Sequence, residues 1–353
     1  MKNIYFTIFS CLLLIYSCSD EKISAKNSDN GSNNASVETA KGRAMWVSYD
    51  PNYRAVKGHT SGYPHALISW RLLGSDPSDI AFDIFKREGD KGEKKLNGNP
   101  IKDCTCWADS TIDATVTNTY RVTLSGKSET LCEYKFTPEM GKTFYREIKL
   151  NVNVPNPQIT YEANDAQVGD LDGDGEMEIV LKRQPYVGAN QGGWHAGTTL
   201  LEAYKLDGTL LWQVDMGINI RSGSHYTSFI VYDFDGDGKC EVAFRSSEGT
   251  TFGDGKVITG TNGKVNDYRI KDEKAVGWYS GKGLIFDSPE YVSICRGSNG
   301  TEITRIDNIP RGGTGTNYER AKYWNEYWGD DYGNRMDRFF IGVAYLDGIP
   351  EKG

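Results

Sequence analysis

The strongest constraint on the fold is an acidic segment that occurs twice in the C-terminal part of the chain. The first copy, VGDLDGDGEMEIV, covers residues 168–180, and the second, VYDFDGDGKCEVA, covers residues 231–243. A third copy opens as VAYLDG at residues 343–348. Apolar residues flank both complete copies, so each predicts two short strands joined by a tight acidic loop. Repetition at this scale indicates an array of similar structural units.

A second hairpin is predicted after each complete copy. The segments LEAYKLDGTLLW, residues 201–212, and EYVSICRGSNGT, residues 290–301, place Asp-Gly and Asn-Gly turns between strand-forming residues. Strand, acidic loop, strand and hairpin make a four-stranded unit, and such units around an axis form a β-propeller. Residues 144–353 are therefore predicted to form part of a propeller.

Each acidic loop has the composition of a calcium site. Asp170, Asp172 and Asp174 alternate in the first loop, where a glycine permits the sharp turn that lets them converge on one cation. An all-oxygen ligand set favours Ca²⁺ over zinc and magnesium. The closing glutamate falls at loop position 9, unlike an EF-hand, and the spacing resembles the calcium sites of FG-GAP-type propeller blades. The predicted ligands are Asp170, Asp172, Asp174, Glu178 and the carbonyl of Glu176, and in the second loop Asp233, Asp235, Asp237, Glu241 and the carbonyl of Lys239.

An acidic turn without a metal is the alternative interpretation of these loops. The matching carboxylates of the second copy argue against it, because four bare carboxylates in one loop repel one another. We therefore expect Ca²⁺ to be a structural cofactor whose binding contributes to the free energy of folding.

The preceding part of the chain, residues 41–143, is predicted to be a β-sandwich. Short strand-like segments recur between turn signals, as in ALISW at 66–70 and TYRVTL at 119–124. Trp70 and Tyr120 resemble the fibronectin type III pattern, in which such a tyrosine caps a corner through its hydroxyl. Other small sandwiches remain open at this point. The whole chain is thus predicted to be all-β, with a fibronectin type III-like sandwich before an incomplete propeller.

The N-terminus predicts export. Lys2 precedes an apolar run that is too short to span a bilayer, so residues 1–17 are interpreted as a signal peptide. The run ends at Cys18, which resembles the lipidated cysteine of bacterial lipoproteins, and residues 18–40 form a polar tether. We expect an outer-membrane lipoprotein on the cell surface or periplasmic face, with a plain secretory signal as the alternative.

Charge and cysteine content limit the possible partners. The formal net charge is −8 and the sequence has no basic cluster, so we do not expect the protein to bind nucleic acid. Export permits a disulfide such as Cys106–Cys132, and no CxxC pair indicates zinc. We expect a monomer.

Further segments support a family resemblance. They are ISWRLLG at 68–74, YEAND at 161–165, NIRSGSHYTSF at 219–229 and GNRMDRF at 333–339. Together with the acidic repeats they resemble polysaccharide lyase family 11 over about residues 44–349. The resemblance implies an eight-bladed propeller after the sandwich and calcium-dependent cleavage of the rhamnose to galacturonate α-1,4 bond of rhamnogalacturonan I. Only the first blades precede residue 353, so we expect impaired activity if the chain ends there.

The implied reaction is a β-elimination. A cation neutralises the uronate carboxylate, a base removes the C5 proton and the C4 oxygen leaves. The candidates for catalysis are His225 and Arg221. The candidates for substrate binding are Asn164, Asp165, Gln184 and Arg335.

Each candidate has a plainer interpretation. Asn164 and Asp165 could form a turn, and His225 could be a packed strand residue. Arg335 could pair with Asp337. Lys182 is interpreted as a solvated strand end. Arg183-Gln184 stands where the family pattern has Trp-Asp. The resemblance therefore predicts that this chain lacks one acidic contact in the cleft.

A non-catalytic alternative uses the same blades. A surface glycan-binding or adhesion lipoprotein would also bind calcium and sugar, but it would not generate an unsaturated uronate. The appearance of that product in the presence of rhamnogalacturonan I distinguishes the two functions.

Overall fold

The computed structural model describes residues 43–50, 65–73, 76–142, 145, 147–185, 197–269, 285, 288–308, 329, 335, 337–338 and 340–344. Every regular element among them is a β-strand, which confirms the all-β prediction. The signal peptide, Cys18, the tether and most of the third acidic opening lie outside the described residues. Within the described ranges no helix has the length and apolar character needed to cross a membrane.

Seven strands form the N-terminal part. They are β1 (Trp46–Asp50), β2 (His65–Ser69), β3 (Phe82–Glu88), β4 (Lys94–Lys95), β5 (Cys106–Asp109), β6 (Asn118–Leu124) and β7 (Thr130–Phe136). One antiparallel sheet has the order β1-β2-β5, and the other has the order β4-β3-β6-β7. Along β6, buried residues alternate with half-buried ones up to Val122, as in a strand with one face on a core.

The two N-terminal sheets share one hydrophobic core. Ile68 from one sheet and Ile84 and Val122 from the other are fully buried in it. Trp70 is buried as predicted, and its ring meets Phe82 edge to face at a centroid distance of 5.4 Å. This part of the chain is held together by apolar side chains from both sheets.

A buried polar group links the same two sheets. The hydroxyl of Tyr120 donates to Asp109 Oδ2 at 2.9 Å, and Lys86 Nζ donates to the same oxygen at 2.6 Å. Tyr120 therefore bonds to a side chain of β5. Although burial opposes ionisation, bonds from Lys86 and Thr111 lower the pKa of Asp109 below its ordinary value.

The predicted option of a Cys106–Cys132 disulfide is wrong. Both residues are free thiols, as are Cys104, Cys240 and Cys295. Cys106 begins β5 in one sheet, whereas Cys132 lies in β7 of the other sheet and is buried in the core. Burial raises the pKa of Cys132 to about 12, so this thiol stays protonated.

Eight strands form the C-terminal part. They are β8 (Tyr161–Gly169), β9 (Glu178–Pro185), β10 (Leu200–Tyr204), β11 (Leu210–Asp215), β12 (Phe229–Tyr232), β13 (Glu241–Ser247), β14 (Glu290–Arg296) and β15 (Glu302–Asp307). They make two four-stranded antiparallel sheets, ordered β8-β9-β10-β11 and β12-β13-β14-β15. Each sheet is the predicted unit of two successive hairpins.

The predicted turns close the second hairpin of each sheet. Gly208 and Gly300 both have positive φ, at 93° and 67°, which a residue with a Cβ adopts at a cost. In the first turn the amide of Lys205 donates to the carbonyl of Thr209, and in the second Arg296 donates to Thr301. The Asp-Gly and Asn-Gly signals were therefore interpreted correctly.

The two C-terminal sheets pack on each other. Val180, Leu201 and Trp212 of the first sheet share a core with Val242 and Phe244 of the second. The first strands of the two sheets, β8 and β12, are in contact. Gln167 of β8 bonds to β12 at two points: its side-chain nitrogen donates to the Phe229 carbonyl at 2.6 Å, and its oxygen accepts from the Val231 amide at 2.9 Å.

Candidate functional site

The first acidic loop is organised by its own backbone amides. Asp170 accepts hydrogen bonds from Gly173 at 2.7 Å and Gly175 at 3.1 Å, one at each carboxylate oxygen. Glu178, the first residue of β9, accepts from the Leu171 amide at 2.8 Å. Both glycines have positive φ, which lets the chain turn sharply around the carboxylates.

The second loop repeats this arrangement. Asp233 accepts from the amides of Gly236 at 2.8 Å and Gly238 at 2.9 Å, and Glu241 accepts from Phe234 at 3.0 Å. The sequence repeat is therefore a repeat of hydrogen bonds as well as of residue types.

Each loop brings three carboxylates together. Asp170, Asp172 and Glu178 each offer a ligand oxygen within 4.8 Å of the others, and Asp233, Asp235 and Glu241 do the same. These hard oxygen ligands suit a cation such as Ca²⁺. The third aspartates of the loops, Asp174 and Asp237, lie outside these clusters. The amides of Glu176 and Lys239 donate to these aspartates, and their carbonyls stay predicted ligands.

The closing glutamates have unusual protonation equilibria. Burial, together with the neighbouring aspartates, raises the pKa of Glu178 to about 7, and the same causes raise the pKa of Glu241 to about 7. Charged carboxylates crowded in this way are unfavourable without a cation. The donor set therefore fits a divalent ion better than it fits solvent alone.

Asn164 and Asp165 lie in a β-bulge, not in a turn. Ala163 pairs with Arg183 and Ala166 pairs with Leu181, so the two residues between them both face Lys182. A bulge of this kind re-aims side chains and is frequent beside active sites. The structure therefore brings these two predicted residues together at one irregular point of β8.

Lys182 anchors this bulge, and the prediction of a solvated strand end is wrong for it. Its side chain is 1% exposed, and Nζ donates to Asp165 Oδ2 at 2.8 Å and to the Tyr226 carbonyl at 2.9 Å. Burial lowers the pKa of Lys182, while the Asp165 carboxylate opposes that shift. Lys182 of β9 therefore links the bulge of β8 to the segment before β12.

Two amide side chains near the bulge have oxygen atoms that accept no hydrogen bond from the described residues. The side-chain oxygens of Asn164 and Gln184 are shielded from solvent and have no hydrogen-bond partner among the described residues. The Gln184 nitrogen lies 3.4 Å from Glu162 Oε2. Unsatisfied buried polar atoms are rare in folded proteins, so the two oxygens mark an unusual point of β8 and β9.

The predicted catalytic residues lie in the segment before β12. Arg221 is buried; its guanidinium stacks on the Tyr226 ring at 4.4 Å and lies 3.4 Å from Asp337 Oδ2. His225 is exposed, so the alternative of a packed strand residue does not hold. Thr227 has φ of 61°, an uncommon conformation for a β-branched residue that is often found at functional sites.

The C-terminal arginine candidate, Arg335, precedes Asp337 by two residues in the chain. Asp337 binds Arg221 and also Arg245, whose Nη1 lies 3.1 Å from Asp337 Oδ1. The guanidinium of Arg335 packs against Gly329. The structure thus connects Arg221 to Asp337 across a separation of 116 residues.

Sequence reasoning missed Lys205, which follows β10. Its Nζ lies 2.9 Å from Asp172 Oδ2 and 3.1 Å from Asp174 Oδ2. The pairing of β9 with β10 explains the contact. Tyr204 pairs with Ile179, so Lys205, the next residue, lies opposite Glu178 at the end of the acidic loop. Lys205 thereby reaches the first acidic loop.

The chain matches two sequence families. Residues 146–351 match "Rhamnogalacturonan lyase family 11, C-terminal domain", and residues 52–134 match "Rhamnogalacturonan I lyases beta-sheet domain". Taken with the all-β fold and the paired acidic loops, these matches place the chain in a family of polysaccharide lyases. The chain belongs to rhamnogalacturonan lyase family 11, because the match to the C-terminal domain covers more than half of its length.

Named relatives agree with this assignment. The chain is 38% identical over 288 residues to the rhamnogalacturonan endolyase YesW of Bacillus subtilis, which covers 80% of this chain and 41% of the relative. It is 38% identical over 292 residues to the exolyase YesX of the same organism, with 80% and 42% covered. The chain therefore spans about two-fifths of the length of these relatives.

Solved structures give the same result. The rhamnogalacturonan lyase PL11 of Bacillus licheniformis superposes with a TM-score of 0.59 at 37% identity, covering 88% of this chain and 47% of that one. YesW superposes with a TM-score of 0.58 at 36% identity, covering 88% and 47%.

Proposed function

We propose that this chain provides the sandwich and the first propeller blades of a calcium-dependent rhamnogalacturonan I lyase. The observation that carries the proposal is the bulge at Asn164 and Asp165, set in a chain of the lyase family beside unsatisfied amide acceptors. The proposed reaction is β-elimination at the rhamnose to galacturonate α-1,4 bond. We infer the substrate from the family and from the printed names of relatives.

The strand order supports the finer fold assignment. Two successive four-stranded meanders with their first strands in contact are typical of propeller blades. The orders β1-β2-β5 and β4-β3-β6-β7 support a fibronectin type III-like sandwich for the N-terminal part.

The acidic loops support calcium as the cofactor. Asp170, Asp172 and Glu178 would hold one ion, and the matching residues of the second loop would hold another. Bound calcium would supply charge neutralisation for the crowded carboxylates and would fix each loop to the strands on either side. We infer a structural role for these two sites.

The proposed chemistry assigns a task to each residue of the bulge region. The exposed carboxylate of Asp165 accepts hydrogen bonds from sugar hydroxyls, next to Asn164 and Gln184. Lys182 holds Asp165 in place and so fixes the shape of the bulge. These groups position the sugar and exclude water from one side of it.

The remaining groups act on the uronate. His225 is exposed and able to take the C5 proton; the electron pair of that C–H bond forms the C4–C5 double bond as the C4–O bond breaks. The leaving oxygen then takes a proton. Arg221, fixed by Asp337 and Tyr226, directs positive charge toward the carboxylate of the substrate.

We also propose that the protein works outside the cytoplasm. Its sequence begins with an apolar leader ending at Cys18, and a polymeric pectin substrate is met outside the cell. Metabolic labelling with a fatty acid would test lipidation, with Cys18→Ala as the variant that must lose the label.

The lyase activity is tested by incubating the full chain with rhamnogalacturonan I and calcium. The unsaturated product absorbs near ~235 nm, and His225→Gln is expected to reduce its formation by about 10²–10⁴-fold. Lys127→Gln, on an exposed turn of the sandwich, is the control with unchanged activity. Binding of the polymer without a rise in absorbance would support a glycan-binding module instead of a lyase. If the chain neither binds the polymer nor produces the absorbance, both functions are contradicted.

A further inference from the structure

One cation already lies at the first acidic loop. The ammonium of Lys205 bonds to Asp172 and Asp174, and it lies 4.0 Å from Glu178 Oε1. These carboxylates are among the predicted calcium ligands. A lysine ammonium is charged at neutral pH, so these contacts are ion pairs.

The second loop lacks this contact although its hairpin has a cation at the matching position. Arg296 pairs with Glu241, just as the register places Lys205 opposite Glu178. Arg296 is exposed, and among the described residues no ion pair joins it to the carboxylates of the second loop. The turn after Arg296 is one residue longer, because its amide bonds to Thr301 whereas that of Lys205 bonds to Thr209.

Among the described ion pairs, Lys205 gives the first loop a cation contact that the second loop lacks. Their backbone hydrogen bonds and carboxylates match pair by pair, as described above. A fixed ammonium neutralises part of the charge that attracts a divalent ion and repels that ion at close range. Of the clustered carboxylates of the first loop, Asp172 is the one that Lys205 contacts within hydrogen-bond distance.

We propose that Lys205 is a built-in competitor of calcium, so that the first loop binds the ion more weakly than the second and fills after it. This inference rests on the proposed calcium binding and adds an order of occupancy to it. At limiting calcium the second loop is occupied, while Lys205 holds the first loop closed. The chain would then respond to calcium concentration in two steps.

The decisive experiment is a calorimetric titration of the metal-depleted full chain with calcium chloride. Lys205→Met is compared with Arg296→Met, which removes the matching cation from the other hairpin. We expect two transitions in the unmodified chain. Lys205→Met should tighten the weaker one by about 5- to 150-fold, the usual range of coupling between two ligands. Arg296→Met should leave both unchanged.

Thermal unfolding separates competition from a simple structural role. In EDTA, Lys205→Met should melt below the unmodified chain, because the carboxylates lose their ammonium. In saturating calcium it should melt at the same temperature or higher. A lysine that only stabilised the fold would lower the melting temperature in both conditions. Lys205→Gln, which keeps a hydrogen-bond donor without the charge, should behave like Lys205→Met.

The possible failures can be told apart. If the unmodified chain binds no calcium, the calcium proposal falls and the competition falls with it. If the chain binds two ions and Lys205→Met has unchanged or weaker affinity, the role of Lys205 alone is overturned. Asp172→Asn and Asp235→Asn identify the transitions, since each should abolish the one that belongs to its loop.

Discussion

The backbone amide of Cys240 donates a 2.7 Å hydrogen bond to the carbonyl oxygen of Asp170. The end of the second acidic loop is therefore bonded directly to the start of the first. The aliphatic part of Lys239 also lies over Gly173 of the first loop. A change of conformation in either loop is consequently transmitted to the other through a short and direct path.

Removal of calcium should destabilise the C-terminal sheets. A site filled at 100 times its dissociation constant contributes about 2.7 kcal/mol to the free energy of unfolding. We expect EDTA to lower the melting temperature and added calcium to restore it, whereas magnesium restores less because it gives up its water reluctantly. Scanning calorimetry and metal analysis of the purified protein are the measurements. Unchanged melting and a calcium-free protein would show that the loops are ordinary acidic turns.

The metal-free protein should lose stability as pH rises. Glu178 and Glu241 have pKa values of about 7 in the folded chain, above their ordinary value of 4.5. Between these values the folded state binds more protons than the unfolded state, so the free energy of unfolding falls with increasing pH. In EDTA we expect a lower urea midpoint at pH 8 than at pH 5.5. The Glu178→Gln, Glu241→Gln double variant should show a smaller dependence, and an equal dependence would contradict the assignment.

Gly169→Ala should destabilise the contact between the C-terminal sheets. A Cβ on Gly169 would lie 2.6 Å from Val231 Cγ1 and 2.9 Å from Cys240 Sγ, both on the neighbouring unit. Overpacking of this kind costs about 1–3 kcal/mol. Gly98→Ala is the control, since a Cβ there meets nothing within 4 Å. Urea unfolding measures the difference, and equal midpoints for the two variants would contradict the packing.

Lys182→Met should weaken the bulge. The change removes the donor to Asp165 and leaves the Tyr226 carbonyl without it, at a cost of about 1–3 kcal/mol. Asp165→Asn is expected to cost less, because that side chain is 64% exposed and keeps an oxygen that can accept from Lys182. The two free energies of unfolding are compared by urea titration. A larger loss for Asp165→Asn would reverse the roles given to the two residues.

The sequence was sufficient for the regular parts of the fold because their signals are local. Alternating apolar residues with Asp207-Gly208 and Asn299-Gly300 turns define the hairpins without any distant contact. The glycines and aspartates of the acidic loops likewise fix a turn by bonding within a few residues. Family resemblance extended these local signals to the order of the two domains.

The site could be predicted less well because its contacts depend on register and distance. Lys182 bonds to a residue of the β8 bulge and to the Tyr226 carbonyl, and no local pattern encodes either contact. Arg221 bonds to Asp337, which lies 116 residues later in the sequence, and no local pattern predicts this contact. The Cys106–Cys132 disulfide failed for a similar reason, since spacing does not reveal which of two sheets a strand joins.

The side chain of Gln167 joins β8 to β12, two strands of different sheets that do not pair through their backbones. Its amide presents one donor and one acceptor, which match the Phe229 carbonyl and the Val231 amide of β12. A carboxylate of the same length would face that carbonyl with a second acceptor, and a methionine would offer neither group. The Gln167 amide therefore opposes sliding of one sheet along the other by a residue, together with the backbone bond from Cys240 to Asp170.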